Sequence, residues 1–337
     1  MDFIQGIVTG NVLLAWLLLV AAFILLTKSA DLFVESAVVI ADRFGIPKLI
    51  IGIVLVSLAT SAPEITVSII AALRGRPEMA LGNAIGSVIC NDGLALGMAG
   101  LIATGAIAIQ PQVLKTAGVF LLLSQALTFI FVLNDYTIQR WQGAILALIL
   151  TIYIITFYFQ NQRSKTVFET QELMEIEEEI EKDKSKPLLL YVLFFLLALG
   201  GIIISSEIIV TSSIMIASRL AIPESVIALT VIALGTSLPE IATSIVAVRK
   251  GHGELAVGNI LGSDILNICF VIGVSSIVNP LTLTRREAFF MFPWMFIVVG
   301  AMFLMLRTGY RLTRKKGIVL ISVYLLYLLS FFLIFPT

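Results

Sequence analysis

The stretch "TSAPEITVSIIAALRGRPEMALGNAIGSVICNDGLALG", residues 60 to 97, recurs 176 positions later as "TSLPEIATSIVAVRKGHGELAVGNILGSDILNICFVIG", residues 236 to 273. The two align without a gap and 18 of the 38 pairs are identical. Upstream the match weakens but continues, pairing Asp31 with Glu207, Arg43 with Arg219, and Ile46-Pro47 with Ile222-Pro223. The chain is therefore a duplicated half, and self-similarity of this kind governs how local motifs are read. Inside the repeat, the apolar stretch "SLATSAPEITVSIIAAL" (57 to 73) carries Glu64 directly after Pro63. A carboxylate within a hydrocarbon layer costs at least roughly 2.5 kcal/mol, and proline removes a backbone donor. Both recur, as Pro239 and Glu240.

Composition supplies the setting. With 59% hydrophobic and 13% charged residues and a mean hydropathy of +1.05, the 337-residue chain falls outside the range of soluble domains and reads as a polytopic membrane protein. Segments of about 20 residues, the length that crosses a bilayer, predict ten spans. They run over 11–41, 47–74, 78–103, 112–133, 137–161, 187–220, 223–249, 253–279, 285–306 and 312–335. The expected fold is all-α: ten transmembrane helices in two five-helix repeats, 1–161 and 187–337, joined by an acidic loop, 162–186. Five is odd, so the second half enters the membrane inverted relative to the first. Inverted repeats with helices interrupted at matching positions are the signature of a secondary transporter whose site lies near the midplane.

Fifteen of the 22 Lys and Arg fall on one side of these spans, six on the other, and Lys28 lies within the first. The positive-inside rule then predicts a cell membrane protein with both termini outside and the 162–186 loop in the cytoplasm. The acidic N-terminus, with no basic region before the first apolar segment, predicts no cleavable signal peptide.

The repeated segment carries oxygen chemistry. Pro63 cannot donate to the carbonyl of Ala59, nor Pro239 to that of Gly235, which frees a carbonyl one turn before each glutamate. Thr60, Ser61, Thr236 and Ser237 add hydroxyls. Ser87 and Asn91, like Ser263 and Asn267, are four apart and share a helix face. Such hard donors suit Ca2+, which takes about 6 to 8 oxygens, and Na+; no His or Cys cluster offers a softer site. Two glutamates match one divalent charge. An intramembrane enzyme would need a nucleophile and base that the repeat lacks, and a channel would use a similar cage without coupling.

The motifs "ATSAPE…GNAIGSVICN" and "GTSLPE…GNILGSDILN" resemble the two alpha repeats of the cation/calcium exchanger superfamily, close to its prokaryotic sodium/calcium exchangers. The paired motifs (57–97 and 233–273) cover roughly 80 residues. The resemblance implies that the second, third, seventh and eighth helices form an ion-binding core, across which the first and sixth slide. It implies Glu64 and Glu240 as shared ligands of Ca2+ and Na+, and oxygens of Thr60 and Thr236 at the calcium site. Ser61, Ser237, Ser87 and Ser263, with the carbonyls of Ser57 and Ala233, would line sodium sites, and Asn91 and Asn267 the centre. Asparagine at both central positions resembles the potassium-independent exchangers. The transported ions and the lipid bilayer are then the expected partners, with no cofactor, no nucleic acid and no required oligomer.

Two acids depart from the twofold pattern. Asp92 stands where the second repeat has Ile268, and Asp264 where the first has Val88. The expectation is that each finds a hydrogen-bond partner within the bundle; the alternative, that they face the site, brings in a proton-coupled or potassium-dependent exchanger. Gly82 and Gly86, like Gly258 and Gly262, have the small-xxx-small spacing of helix packing, and Asn83 and Asn259 read as interhelical hydrogen-bond partners. Lys28, Asp31 and Glu35 form a polar stripe, His252 sits in a turn, and Cys90 and Cys269 read as reduced packing residues. The loop sequence "ETQELMEIEEEIEKDK" spaces Leu173, Ile176 and Ile180 for a short amphipathic helix.

Overall fold

The computed structural model describes residues 12–43, 56–109, 111–163, 187–219, 231–249 and 253–335, which are almost entirely helical. The first half comprises α1 (Val12–Arg43), α2 (Val56–Thr60), α3 (Ala62–Leu73), α4 (Pro77–Cys90), a π-helical turn (Asn91–Ala95), α5 (Leu96–Ile102), α6 (Pro111–Leu133) and α7 (Arg140–Arg163). The second comprises α8 (Leu188–Arg219), α9 (Ala233–Thr236), α10 (Leu238–Arg249), α11 (Gly253–Leu266), a π-helical turn (Asn267–Val271), α12 (Ile272–Val278), α13 (Arg285–Arg307) and α14 (Arg314–Ile334).

Seven helical stretches among the described residues are long and apolar enough to cross a membrane, and Ala62–Leu73 and Arg140–Thr156 are apolar but shorter. The count falls below ten because 137–161 counts only over Arg140–Thr156 and because the predicted spans 47–74 and 223–249 are not continuous. Turns at Ser61 and Ser237 divide them, and 44–55 and 220–230 lie outside the described residues. The predicted loop helix, His252 and the side chains of Asp31 and Glu35 also lie outside them.

Burial sorts the helices into layers. The most apolar 18-residue segment of Pro77–Ile102 is 78% buried and that of Ala256–Val278 83%, against 28% for Val12–Ser29 and 22% for the corresponding segment within Leu188–Ala217. The α4–α5 and α11–α12 rods thus run through the middle, while α1 and α8 lie together at the periphery. At about 1.5 Å per residue, each of the latter is about 48 Å long, more than a ~30 Å hydrocarbon core, so both tilt or project beyond it.

Glycines bring particular helices together. A Cβ on Gly317 would lie 2.6 Å from the carbonyl oxygen of Gly97, which welds α14 to α5, and one on Gly143 would collide with the carbonyl oxygen of Gly273, which welds α7 to α12. These differ from the glycines that spacing singled out: a Cβ on Gly258 would meet nothing within 4 Å. Periodicity marks a small-residue face but not what passes over it.

Two short antiparallel ribbons fasten one half to the other. Ile107–Ala108 (β1) pairs with Arg311–Leu312 (β4), and Thr137–Ile138 (β2) with Leu281–Thr282 (β3). Both ribbons join a loop of the first half to a loop of the second.

Candidate functional site

The two broken helices have the same local geometry. Ser61 sits at φ −82°, ψ 0° and Ser237 at φ −81°, ψ 2°, each between a short helix and a longer one that opens with proline. The prolines have no N–H to return to Ala59 and Gly235, so the ladder resumes with Ile65 donating to Ser61 O and Ile241 to Ser237 O, both at 3.0 Å. Glu64 and Glu240 consequently stand in the first turns of α3 and α10, where the N-terminal end of the helix dipole favours negative charge.

Both glutamates are fully buried. Glu64 Oε1 accepts from Ser87 Oγ at 3.5 Å and from Ser237 Oγ at 3.2 Å; Glu240 Oε1 accepts from Ser263 Oγ at 3.4 Å and from Ser61 Oγ at 3.3 Å. Each carboxylate is therefore held by one serine of its own half and by the serine at the break of the other half. The halves interlock through a twofold exchange of hydroxyls.

The asparagines of the GN motifs complete that exchange. Asn83 Nδ2 donates to Glu64 O at 3.3 Å and to Ser68 Oγ at 2.9 Å, while its Oδ1 accepts from Thr236 Oγ1 at 3.2 Å. Asn259 Oδ1 accepts from Ser57 Oγ at 3.2 Å and from Thr60 Oγ1 at 3.5 Å, and its Nδ2 donates to Thr243 Oγ1 at 3.4 Å. These are the interhelical roles expected of them. The carbonyls of Ser57 and Ala233 are hydrogen-bonded within their helices: each accepts from the backbone N–H of the serine at the break and from the hydroxyl of Thr60 or Thr236.

What remains unpaired is mostly oxygen. Glu64 Oε2, Glu240 Oε2, Asn91 Oδ1, Asp264 Oδ2, both oxygens of Asp92 and both amide atoms of Asn267 are buried with no hydrogen-bond partner. Buried polar atoms are ordinarily satisfied, so a group of orphaned acceptors in the best-packed part of the molecule calls for a positively charged occupant. The donor set is mixed: among the described residues, no three Asp, Glu, His or Cys side chains converge as a metal site. Carboxylates must act together with hydroxyls and amides, a combination suited to hard cations.

Asp92 and Asp264, unrelated by the repeat, come together nonetheless. Asp264 Oδ1 accepts from Asn91 Nδ2 at 3.2 Å and lies close enough to Asp92 and Glu240 to feel both charges. Glu64 likewise feels Glu240. Four buried acids thus share one electrostatic neighbourhood. Sequence reading missed the π-helical turns that begin at Asn91 and at Asn267; the only available signal was that both asparagines follow their serine by four. Such turns widen the helix and recur at functional sites. Cys90 and Cys269 are buried free thiols.

The family model for "Sodium/calcium exchanger protein" matches residues 14–159 and 190–333, nearly the whole chain and both halves. The chain belongs to this family. Its relatives include the sodium/calcium exchanger MaX1 of Methanosarcina acetivorans, 29% identical over 95% of this chain and 99% of that protein. The inner membrane protein YrbG of Escherichia coli is 37% identical over 80% of this chain and 81% of its own length. Among solved structures, the sodium-calcium exchanger NCX_Mj soaked with 2.5 mM Na+ and 1 mM Sr2+ superposes with a TM-score of 0.65 at 27% identity, covering 95% of this chain and 99% of that one. The likeness extends over nearly the full length of both chains.

Proposed function

We propose that this protein is a secondary antiporter that exchanges Na+ for Ca2+ across a cell membrane, with ions bound between its two halves. The observation that carries the proposal is the pair of buried glutamates, each held through one oxygen by serines of both halves and each with its other oxygen unpaired. One Ca2+ neutralises both, or several Na+ replace it, and the two loads exclude each other because they share ligands. Ser61, Ser237, Ser87 and Ser263 already face the glutamates; Thr60, Thr236, Asn91 and Asn267 add oxygens close by. For the carbonyls of Ser57 and Ala233 to serve as ligands, each must release the threonine hydroxyl it now accepts.

The topology that fits this reading is ten helices in two inverted five-helix repeats, 1–161 and 187–337, with both termini outside and the 162–186 loop in the cytoplasm. The near-identical breaks at Ser61 and Ser237 support it, as does the asymmetry of basic residues. Access would alternate as α1 and α8, which lie together at the periphery, move against the core.

The buried pair Asp92 and Asp264 favours a second reading, in which a proton or K+ accompanies or replaces Na+. Calcium uptake into inside-out vesicles, with Na+, K+ and proton gradients imposed one at a time, separates the two. Uptake driven by Na+ alone supports the proposal, and uptake that follows only the proton gradient replaces it.

A further inference from the structure

Among the described residues, one ion pair ties the peripheral helix α8 to the core. Arg74, at the C-terminal end of α3, forms an ion pair with Glu207 of α8, and its Nη1 donates to Thr211 Oγ1 at 2.7 Å. Both charged side chains are mostly buried, 18% and 14% exposed, in a helix that otherwise turns apolar residues to its surroundings. Glu207 and Thr211 are four residues apart, so the guanidinium spans one turn of α8. The next residues along that face, Ile203 and Met215, are apolar. A slip of α8 by one turn in either direction sets an isoleucine or a methionine in a position now held by the polar pair.

A second observation concerns the same helix. Ser206, Ser212 and Ser213, close to Glu207 in sequence, are fully buried and their hydroxyls have no hydrogen-bond partner. Ser205, by contrast, bonds back to Gly201 O of its own helix at 2.6 Å. Three buried hydroxyls left idle on one helix mark a polar surface not matched to its neighbours in this register. They do not hold α8 in place, whereas the contact with Arg74 does.

We propose that the Arg74–Glu207–Thr211 contact is a register latch: it holds α8 on α3 in the conformation seen, and it must open for α8 to move along the core during transport. The proposal deepens the antiporter reading, but its first test does not depend on the cargo. Spin labels at Leu73 and Ile203, both exposed on the outer surface, report the register of α8 on α3 in the full-length protein. The native protein gives one dominant distance. Arg74→Gln adds a second population displaced by about one helical turn, ~5 Å, and the charge exchange Arg74→Glu with Glu207→Arg restores the single distance. An Arg74→Gln distribution that matches the native one overturns the latch. So does failure of the charge exchange to restore it when both variants elute as folded protein.

A second arm addresses transport. Arg74→Cys with Glu207→Cys, joined by a reducible bifunctional thiol reagent, stops exchange at least tenfold while calcium binding in detergent is retained, and reduction restores the flux. Undiminished flux in the joined protein overturns the proposal. If the unjoined protein moves no calcium at all, the antiporter reading fails, and the distance measurement still decides the latch.

Discussion

Replacing Glu64 by Gln preserves the shape of the side chain and its hydrogen bonds while removing one of the two charges that face each other across the repeat. At an effective dielectric constant near 20, a unit charge about 4 Å from a monovalent ion contributes about 4 kcal/mol, and therefore about 8 kcal/mol with a divalent one. The repulsion between Glu64 and Glu240 is present in empty and loaded protein alike, so it cancels from the binding free energy and bears only on the stability of the fold. The loss is then about 8 kcal/mol for Ca2+ and about 4 kcal/mol for a single Na+. At about 1.4 kcal/mol per decade, Ca2+ binding weakens on the order of 500,000-fold and Na+ binding roughly 1,000-fold. Calorimetric titration of purified protein with each ion measures both. Heating the unloaded protein is the control: relieved of like-charge repulsion, the Gln variant melts no lower than the native protein, while its stabilisation by Ca2+ disappears. Calcium affinity within tenfold of native, or equal losses for the two ions, would refute the shared-carboxylate cage.

Other consequences are more local. Asn259→Ala removes the side-chain acceptor of Ser57 and Thr60 and leaves each hydroxyl with a backbone carbonyl alone, at 3.4 Å; it lowers stability by about 1–2 kcal/mol, read from thermal melts in detergent, and Asn83→Ala behaves alike if the two halves are equivalent. Gly317→Ala forces a methyl group against the Gly97 carbonyl and separates α14 from α5; it costs about 1–3 kcal/mol, whereas Gly258→Ala, with open space around it, lowers the melting temperature by far less. Thr284→Ala breaks the capping box at the start of α13, in which Thr284 N donates to Glu287 Oε2 at 2.8 Å and Glu287 N to Thr284 Oγ1 at 3.3 Å. It costs about 1 kcal/mol and leaves ion affinities unchanged.

The core of the site was legible because duplication makes chemistry visible. Glu64 alone is an oddity in an apolar helix, but Pro63-Glu64 repeated as Pro239-Glu240 predicted two breaks, and Ser61 and Ser237 turn with nearly the same φ and ψ. The hydroxyls that hold each carboxylate were also named in advance. Their exchange between halves was not, because a sequence repeat says which residues are equivalent and not which face which. The meeting of Asp92 with Asp264 was illegible for the same reason: the alignment pairs them with Ile268 and Val88. Glycine spacing pointed to Gly258, whereas glycine meets the backbone of a neighbouring helix most closely at Gly97–Gly317 and Gly143–Gly273, where that helix happens to cross. The ion pair of Arg74 with Glu207 was illegible as well, because the repeat relates Glu207 only to Asp31.

The most direct test of the central claim is calcium accumulation in proteoliposomes under an imposed sodium gradient, with native protein and the Glu64→Gln, Glu240→Gln double variant reconstituted side by side. The account predicts uphill calcium uptake by the native protein that collapses when the sodium gradient is dissipated, and none by the double variant. Uptake by the native protein that persists without the sodium gradient, or uphill uptake by the double variant, would contradict it.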